Sequence, residues 1–311
     1  MYKSNKNIVV AIIAALSMGI TSGGTFAGGL LDIAFPRGDF DEMPVPTPPP
    51  GTIINNPYWP LNPDGLERTF TYVGETEDEC VIIQISVNDN VYGATHTLNG
   101  AMPYTDLVAL QVLDTEWVFD EFDECDPALL IPDEDAITEK TLDWYLQDDR
   151  ENIWYVGEYS QSFENEEGDT FDCGIPFEPT GVGVPPECKE GSWEAGIEGG
   201  EGDEAIVGVA GIVVPGDLPL LGEPLQNGNY FMQEVAFEAE DMAKILRQHA
   251  SLGEYEDCRK TKEWTALEPG GSVEHKWYCA GGPGLVLIEG VGGGPTEVEV
   301  LVEVAPALTF P

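Results

Sequence analysis

Two short apolar runs separated by a charged turn constrain this chain most. Thr141-Leu-Asp-Trp-Tyr-Leu-Gln147 and Asn152-Ile-Trp-Tyr-Val-Gly157 flank Asp148-Asp-Arg-Glu151, and Leu142, Trp144 and Leu146 fall on every second position. A period of two marks a strand, and two strands across a short polar turn read as an antiparallel hairpin. The pattern recurs at Arg68 to Val73 and Val81 to Val87, with charged turn residues between them. A further hairpin joins Cys258–Thr265 to Val273–Ala280 around Leu267-Glu-Pro-Gly270, and Gly284–Glu289 with Glu297–Val304 closes the chain.

One segment departs from this pattern. Met242, Ile245, Leu246 and His249 are spaced by three and four, acids crowd Glu238 to Asp241, and Gly253 follows. That spacing, with early acids, later bases and a terminal glycine, predicts a helix over 238–252. The expected fold is therefore mainly β: an antiparallel curved sheet or partly open barrel with one packed α-helix. The Gly- and Pro-rich span from Gly191 to Pro224 reads as long loops and short edge strands.

The N-terminus predicts export. Lys3 and Lys6 precede an apolar run from Ile8 to Ile20, which ends in Thr25-Phe-Ala27. These are the three parts of a secretory signal peptide, expected over residues 1–27. Residues 28–55 read as an extended lead-in, stiffened by Met43-Pro-Val-Pro-Thr-Pro-Pro-Pro50. Arg37-Gly38-Asp39 within it is a tripeptide short enough to arise by chance. Residues 56–311 then form a single β-rich domain. No later stretch has the roughly twenty apolar residues of a membrane helix, so no span is expected in the mature chain.

Six cysteines in an exported chain imply disulfides, although six allow fifteen pairings. Cys173 and Cys188 bracket a Gly- and Pro-rich loop, and Cys258 and Cys279 sit symmetrically about a hairpin turn. Cys80 and Cys125 pair by elimination. Thiolate metal binding is disfavoured, since no C-x-x-C spacing occurs.

Charge narrows the partners. The chain has 57 acidic and 13 basic residues, a net charge of −44. Such a surface repels nucleic acid and anionic lipid. It suits a saline medium, in which counterions screen self-repulsion, or carboxylates that collect divalent cations.

Nucleophile elbows, zinc-protease helices, Walker loops and dinucleotide fingerprints are all missing, and no catalytic residue is assigned. Carboxylates remain. Asp148, Asp149 and Glu151 in the first turn, and Glu240 with Asp241 further on, are candidate cation ligands, because calcium takes six to eight oxygens. Calcium is the one cofactor these residues suggest, against the simpler reading of a solvated hairpin turn. A carboxylate pair beside aromatic residues would also suit glycoside hydrolysis.

Several short motifs together resemble a family of uncharacterised exported bacterial proteins and lipoproteins. They include Asn56-Pro-Tyr-Trp-Pro-Leu61, Asp143-Trp-Tyr-Leu-Gln-Asp148, Asn152-Ile-Trp-Tyr-Val-Gly-Glu158 and Gly191-Ser-Trp-Glu-Ala-Gly196. Tyr230-Phe-Met-Gln-Glu234, Lys260-Thr-Lys-Glu-Trp264 and Glu274-His-Lys-Trp-Tyr278 continue the likeness, in order, across residues 56 to 290. The resemblance implies a constellation of Trp154, Glu158, Trp193, Glu194 and Glu234, with Glu240 and Asp241 beside it, as candidate ligand-binding residues. The segment from Cys173 to Cys188 and the acidic stretch from Glu198 to Glu204 depart from that pattern. The expected function is an exported, non-enzymatic binding or surface protein, secreted or periplasmic. Its partners would be a small ligand, cations or envelope proteins. The alternatives are a carboxylate-dependent extracytoplasmic hydrolase and an envelope scaffold subunit.

Overall fold

The computed structural model describes residues 51–75, 79–119, 125–130, 136–163, 177–181, 184–185, 188–189, 191–200, 205–217, 224–237, 239–265, 273–292 and 298–305. The expected signal peptide, the proline-rich run, Arg37-Gly38-Asp39 and Cys173 lie outside the described residues.

Antiparallel strands build nearly everything described. In chain order they are β1 (Arg68–Glu75), β2 (Cys80–Val87), β3 (Thr95–Thr97), β4 (Val108–Phe119), β5 (Ile137–Gln147), β6 (Ile153–Ser162), β7 (Trp193–Glu194), β8 (Glu198–Gly199) and β9 (Ile206–Val207). Then follow β10 (Val209–Val214), β11 (Tyr230–Met232), β12 (Glu234–Val235), β13 (Asp241–Leu252), β14 (Tyr255–Thr265), β15 (Val273–Cys279), β16 (Gly284–Gly292) and β17 (Val298–Ala305). One short helix, α1 (Pro127–Leu130), lies between β4 and β5. The hairpins expected from sequence form β5–β6, β14–β15 and β16–β17, and the pair from Arg68 and Val81 forms β1–β2.

A single 15-stranded sheet runs β11-β13-β14-β15-β16-β17-β1-β2-β4-β5-β6-β10-β12, with β3 and β7 added at its side. Its two ends are consecutive in sequence. β11 pairs with β13 at one edge, β12 pairs with β10 at the other, and Gln233 alone separates them. Gln233 N–H donates to the Asp241 carbonyl at 2.8 Å. The sheet is thereby nearly closed into a barrel, which removes most of its exposed edge. Gly211 permits the approach, because a Cβ there would overlap the Gln233 carbonyl.

The helix expected over 238–252 is instead strand β13, paired on one side with β11 and on the other with β14. Met242 faces Trp264 and Ile245 faces Thr261, on opposite sides of a strand whose two faces are both covered at this point. Burial on both faces creates a spacing of three without a helix. Three register shifts beyond Ile245 then disturb the alternation further, and His249 adopts a left-handed φ of 51°.

Residues 51–62 plug one end of the barrel. Gly51 bridges Gln147, and Ile54, Tyr58, Trp59 and Leu61 are buried. The Trp59 ring meets Tyr145 and Tyr278 edge-on at 5.4 and 6.2 Å, touching walls formed by β5 and β15. The Arg259 guanidinium lies 3.7 Å from the Tyr58 ring centroid and donates to the Pro215 carbonyl and to Asp217. Two disulfides fasten the outside. Cys80–Cys125 sits in an apolar cluster with Ile82, Trp117 and Phe119. Cys258–Cys279 joins β14 to β15 beside Trp277 and Val286. Cys188 is also disulfide-bonded.

Candidate functional site

Alternation along β5 sends Leu142, Trp144 and Leu146 to one face and Glu139, Thr141, Asp143 and Tyr145 to the other. The apolar face is the outer one. There Trp144 donates to Gln111 at 3.0 Å and stacks under His96 at 3.8 Å. The acidic face looks into the barrel. Register carries that face sideways: Asp143 opposes Val112 on β4 and Glu158 on β6, and Thr141 opposes Asp114 and Ser160.

Carboxyl groups from the other wall complete the interior. Lys276 on β15 pairs with Glu263 at 3.2 Å and Glu274 at 3.3 Å. Burial and the charges of Asp143, Glu139 and Glu116 raise the pKa of Asp114 on β4, and the Lys276 charge opposes them, although β16, β17, β1 and β2 separate those strands in the sheet. Such a cross-barrel effect requires both side chains to share the enclosed volume. Asp114, Glu139, Asp241 and Glu274 keep part of their surface accessible, while Asp143, Glu158 and Glu234 are at most 2% exposed.

Asp143, Tyr155 and Glu158 form the centre. The Tyr155 hydroxyl lies 2.6 Å from Asp143 Oδ1 and 2.7 Å from Glu158 Oε2. A phenol has one proton to donate, so two contacts this short place a further proton on a carboxyl group. Burial supplies the reason. It raises the pKa of both acids, and the neighbouring charges of Glu234 and Asp143 push Glu158 higher still. Burial also raises Glu234, with Asp241 adding to the effect, while the Trp193 indole N–H donates to Glu234 Oε2 at 2.7 Å and opposes it. Burial pushes Glu139 up to about 7. Burial and the charge of Asp241 push Glu240 to about 7.

Polar atoms are left over. Asp143 Oδ2, Glu158 Oε1, Glu234 Oε1 and the Tyr145 hydroxyl are buried without a hydrogen-bond partner. Buried acceptors left unmade cost about 1–3 kcal/mol each, so a cluster of them is an unusual feature of a finished core.

The residues expected from sequence divide among three places. Glu158, Trp193, Glu234 and Asp241 meet at the interior cluster, and Glu240 lies beside it, 6% exposed. Glu194 belongs to the outer face, where it accepts from His96 Nε2, Asn99 N–H and Gly100 N–H. Burial alone would raise its pKa, but those donors outweigh burial and lower it. Trp154 belongs to the β5–β6 turn and donates to Asp148 Oδ2 at 2.9 Å. Asp148 also accepts from Arg150 N–H, Asn152 N–H and Asn152 Nδ2, so its oxygens organise the hairpin. Asp149 and Glu151 are exposed on that turn. Among the described residues, no three of His, Cys, Asp and Glu are grouped so as to hold a metal ion.

Asp143, Tyr145, Tyr155 and Lys276 are not among the ligand-binding residues that the resemblance implies. The available signal was the polar half of the β5 alternation, since a strand that carries Glu139, Thr141 and Asp143 opposite three large apolar residues has two demanding faces.

Fold and interior together define an acid-lined, nearly closed antiparallel β-barrel. No protein-family model matches the sequence, and no curated protein matches it. Among solved structures, a Bacteroides fragilis protein with a YmcC-like fold is similar at 9% identity and a TM-score of 0.29, over 76% of this chain and 94% of that one. That likeness is too remote to transfer a site or an activity.

Proposed function

We propose that this chain is an extracytoplasmic, non-enzymatic binding protein that takes a small hydrogen-bond-donating ligand into its barrel. The observation that carries this reading is the set of buried, unpartnered oxygens on Asp143, Glu158 and Glu234, beside the unpartnered Tyr145 hydroxyl. The three carboxyl oxygens can accept and the Tyr145 hydroxyl can both accept and donate, so a ligand rich in N–H or O–H groups would satisfy them. The Cys80–Cys125 and Cys258–Cys279 disulfides support maturation in an oxidising compartment. The resemblance to exported bacterial proteins of the sequence motifs points the same way. Periplasmic retention and secretion are both compatible with this reading.

A second reading is favoured by one observation. Glu158 and Glu234 are buried acids whose pKa burial raises, the direction a general acid requires. Trp193 beside them would suit a sugar ring. A hydrolase would cleave chromogenic glycosides and lose turnover in Glu158→Gln, whereas a binding protein shows no turnover.

The direct test is a thermal-shift screen with amines, polyols, calcium and magnesium at matched ionic strength. At least one class should raise the melting temperature of the wild type and leave Glu234→Gln unmoved. A panel that shifts neither protein would sink interior binding.

A further inference from the structure

The barrel interior already holds one primary ammonium. Lys276 is 6% exposed, and its Nζ lies 3.2 Å from Glu263 Oε2 and 3.3 Å from Glu274 Oε2. Burial works against its charge, but the carboxylates of Glu263 and Glu274 outweigh burial and raise its pKa. Glu263 is itself braced by Thr261, Gln233 and Tyr278. One wall of the interior is therefore an ammonium site made by the chain for its own side chain.

Across the interior, the acids of β5, β6 and β12 lack such a counterpart. Asp143 Oδ2, Glu158 Oε1 and Glu234 Oε1 have no partner, and the three groups act on one another electrostatically. They are deficient in donors and in positive charge together. A neutral polyol would supply donors and acceptors but no charge, and the carboxyl groups would keep their protons. A divalent metal ion would supply only charge, and it needs six or more oxygens closely packed around it. No such grouping occurs among the described residues. A primary ammonium supplies both, with three N–H donors to share among these oxygens, of which those of Glu234 also meet the Asp241 carboxyl. The unpartnered Tyr145 hydroxyl, on the same face of β5 as Asp143, offers a further polar contact for a second donor on the same molecule.

We infer that the interior site binds a small organic cation bearing a primary ammonium, of the diamine or polyamine class, through Asp143, Glu158 and Glu234. This rests on the interior-binding reading and narrows it to one ligand chemistry. Binding converts neutral carboxyl groups into carboxylates, so protons leave as the cation enters.

Calorimetric titration of the full chain with putrescine at pH 7.5 tests it, in two amine-free buffers of different ionisation enthalpy. Saturable binding with net proton release is expected. Glu234→Gln and Glu158→Gln should each weaken it at least about tenfold, as loss of a charge-assisted hydrogen bond implies. Glu254→Gln, on the exposed β13–β14 turn, should not change it. An independent readout needs no variant: putrescine methylene protons should show nuclear Overhauser contacts to the Trp193 indole, which adjoins Glu234. Binding without those contacts, or unaffected by both substitutions, overturns the assignment. If calcium or a neutral polyol binds with sensitivity to Glu234→Gln while amines do not, the ammonium assignment fails and interior binding stands. If no probe binds in a way that these residues control, both fail.

Discussion

Tyr155 and Glu158 point into the barrel from the same side of β6, hydroxyl to Oε2 2.7 Å, although an odd number of steps separates them in sequence. A bulge makes this happen. Asp143 opposes Glu158 and Trp144 opposes Gly157, but Tyr145 already opposes Tyr155, so β6 carries one extra residue. The insertion reverses the face that each later residue presents. Without it, the hydroxyl that ties Asp143 to Glu158 would lie on the outer surface.

Gly157→Ala should therefore be costly. Gly157 has φ 143°, and a Cβ there would stand 2.6 Å from the Trp193 carbonyl and 2.8 Å from the Trp144 ring. Backbone strain and overlap together should destabilise the protein by about 2 kcal/mol or more. Gly228 is the comparison, with φ 92° and nothing within 4 Å of an added Cβ. Gly228→Ala should cost about 1 kcal/mol. Urea denaturation of both variants measures the difference, and equal losses would mean that the close approach at Gly157 is unimportant.

Stability should fall as pH rises through neutrality. Glu139 and Glu240 have folded values of about 7 against an ordinary 4.5, and burial raises Asp143, Glu158 and Glu234 as well. A raised folded pKa means that the native state holds protons the unfolded chain has released. The associated stability is fully present below about 4.5 and is lost as pH climbs past 7. Each such proton contributes a slope of up to about 1.4 kcal/mol per pH unit. Denaturation at pH 5.5, 6.5, 7.5 and 8.5 should show a steady decline, and Glu158→Gln should flatten it. A stability maximum at pH 8 or above would contradict the protonated interior.

The disulfides offer a graded prediction. Cys258–Cys279 spans 21 residues and Cys80–Cys125 spans 45. Chain-entropy reasoning assigns them about 3 and about 4 kcal/mol respectively. Paired Cys→Ala variants should follow that order in chemical denaturation. The reverse order would show that the packing of Trp277 and Val286 around Cys258–Cys279 matters more than loop length.

The hairpins were legible because their expected turns are polar and their strands alternate: the β5–β6 turn lies at Asp148, and β14 pairs with β15 as expected. The Cys258–Cys279 register was legible for the same reason. The orientation of β5 was not. Alternation puts Leu142, Trp144 and Leu146 on one face without saying which, and β3 with its flanking loop covers that face from outside, leaving Asp143 to the interior. β13 was misread because burial on two faces imitates helical spacing. Glu158, Trp193, Glu234 and Asp241 come together at the interior cluster, whereas Asp148 holds Trp154 at the β5–β6 turn and His96 holds Glu194 on the outer face.

Asp148 provides the test that separates a turn from a cation site. Its two oxygens accept from Arg150 N–H, Asn152 N–H, Asn152 Nδ2 and Trp154 Nε1, all at 2.9 Å. Asn152 in turn accepts from Gly216 N–H through Oδ1, so the hairpin turn is tied to the end of β10. Removing the carboxylate leaves buried donors on Asn152 and Trp154 unsatisfied, at about 1–3 kcal/mol each. Asp148→Ala should lose about 3 kcal/mol in total, by an equal amount in calcium and in chelator. Its indole fluorescence should also change, because Trp154 loses its acceptor. A loss confined to calcium-containing buffer would make the turn a cation site instead.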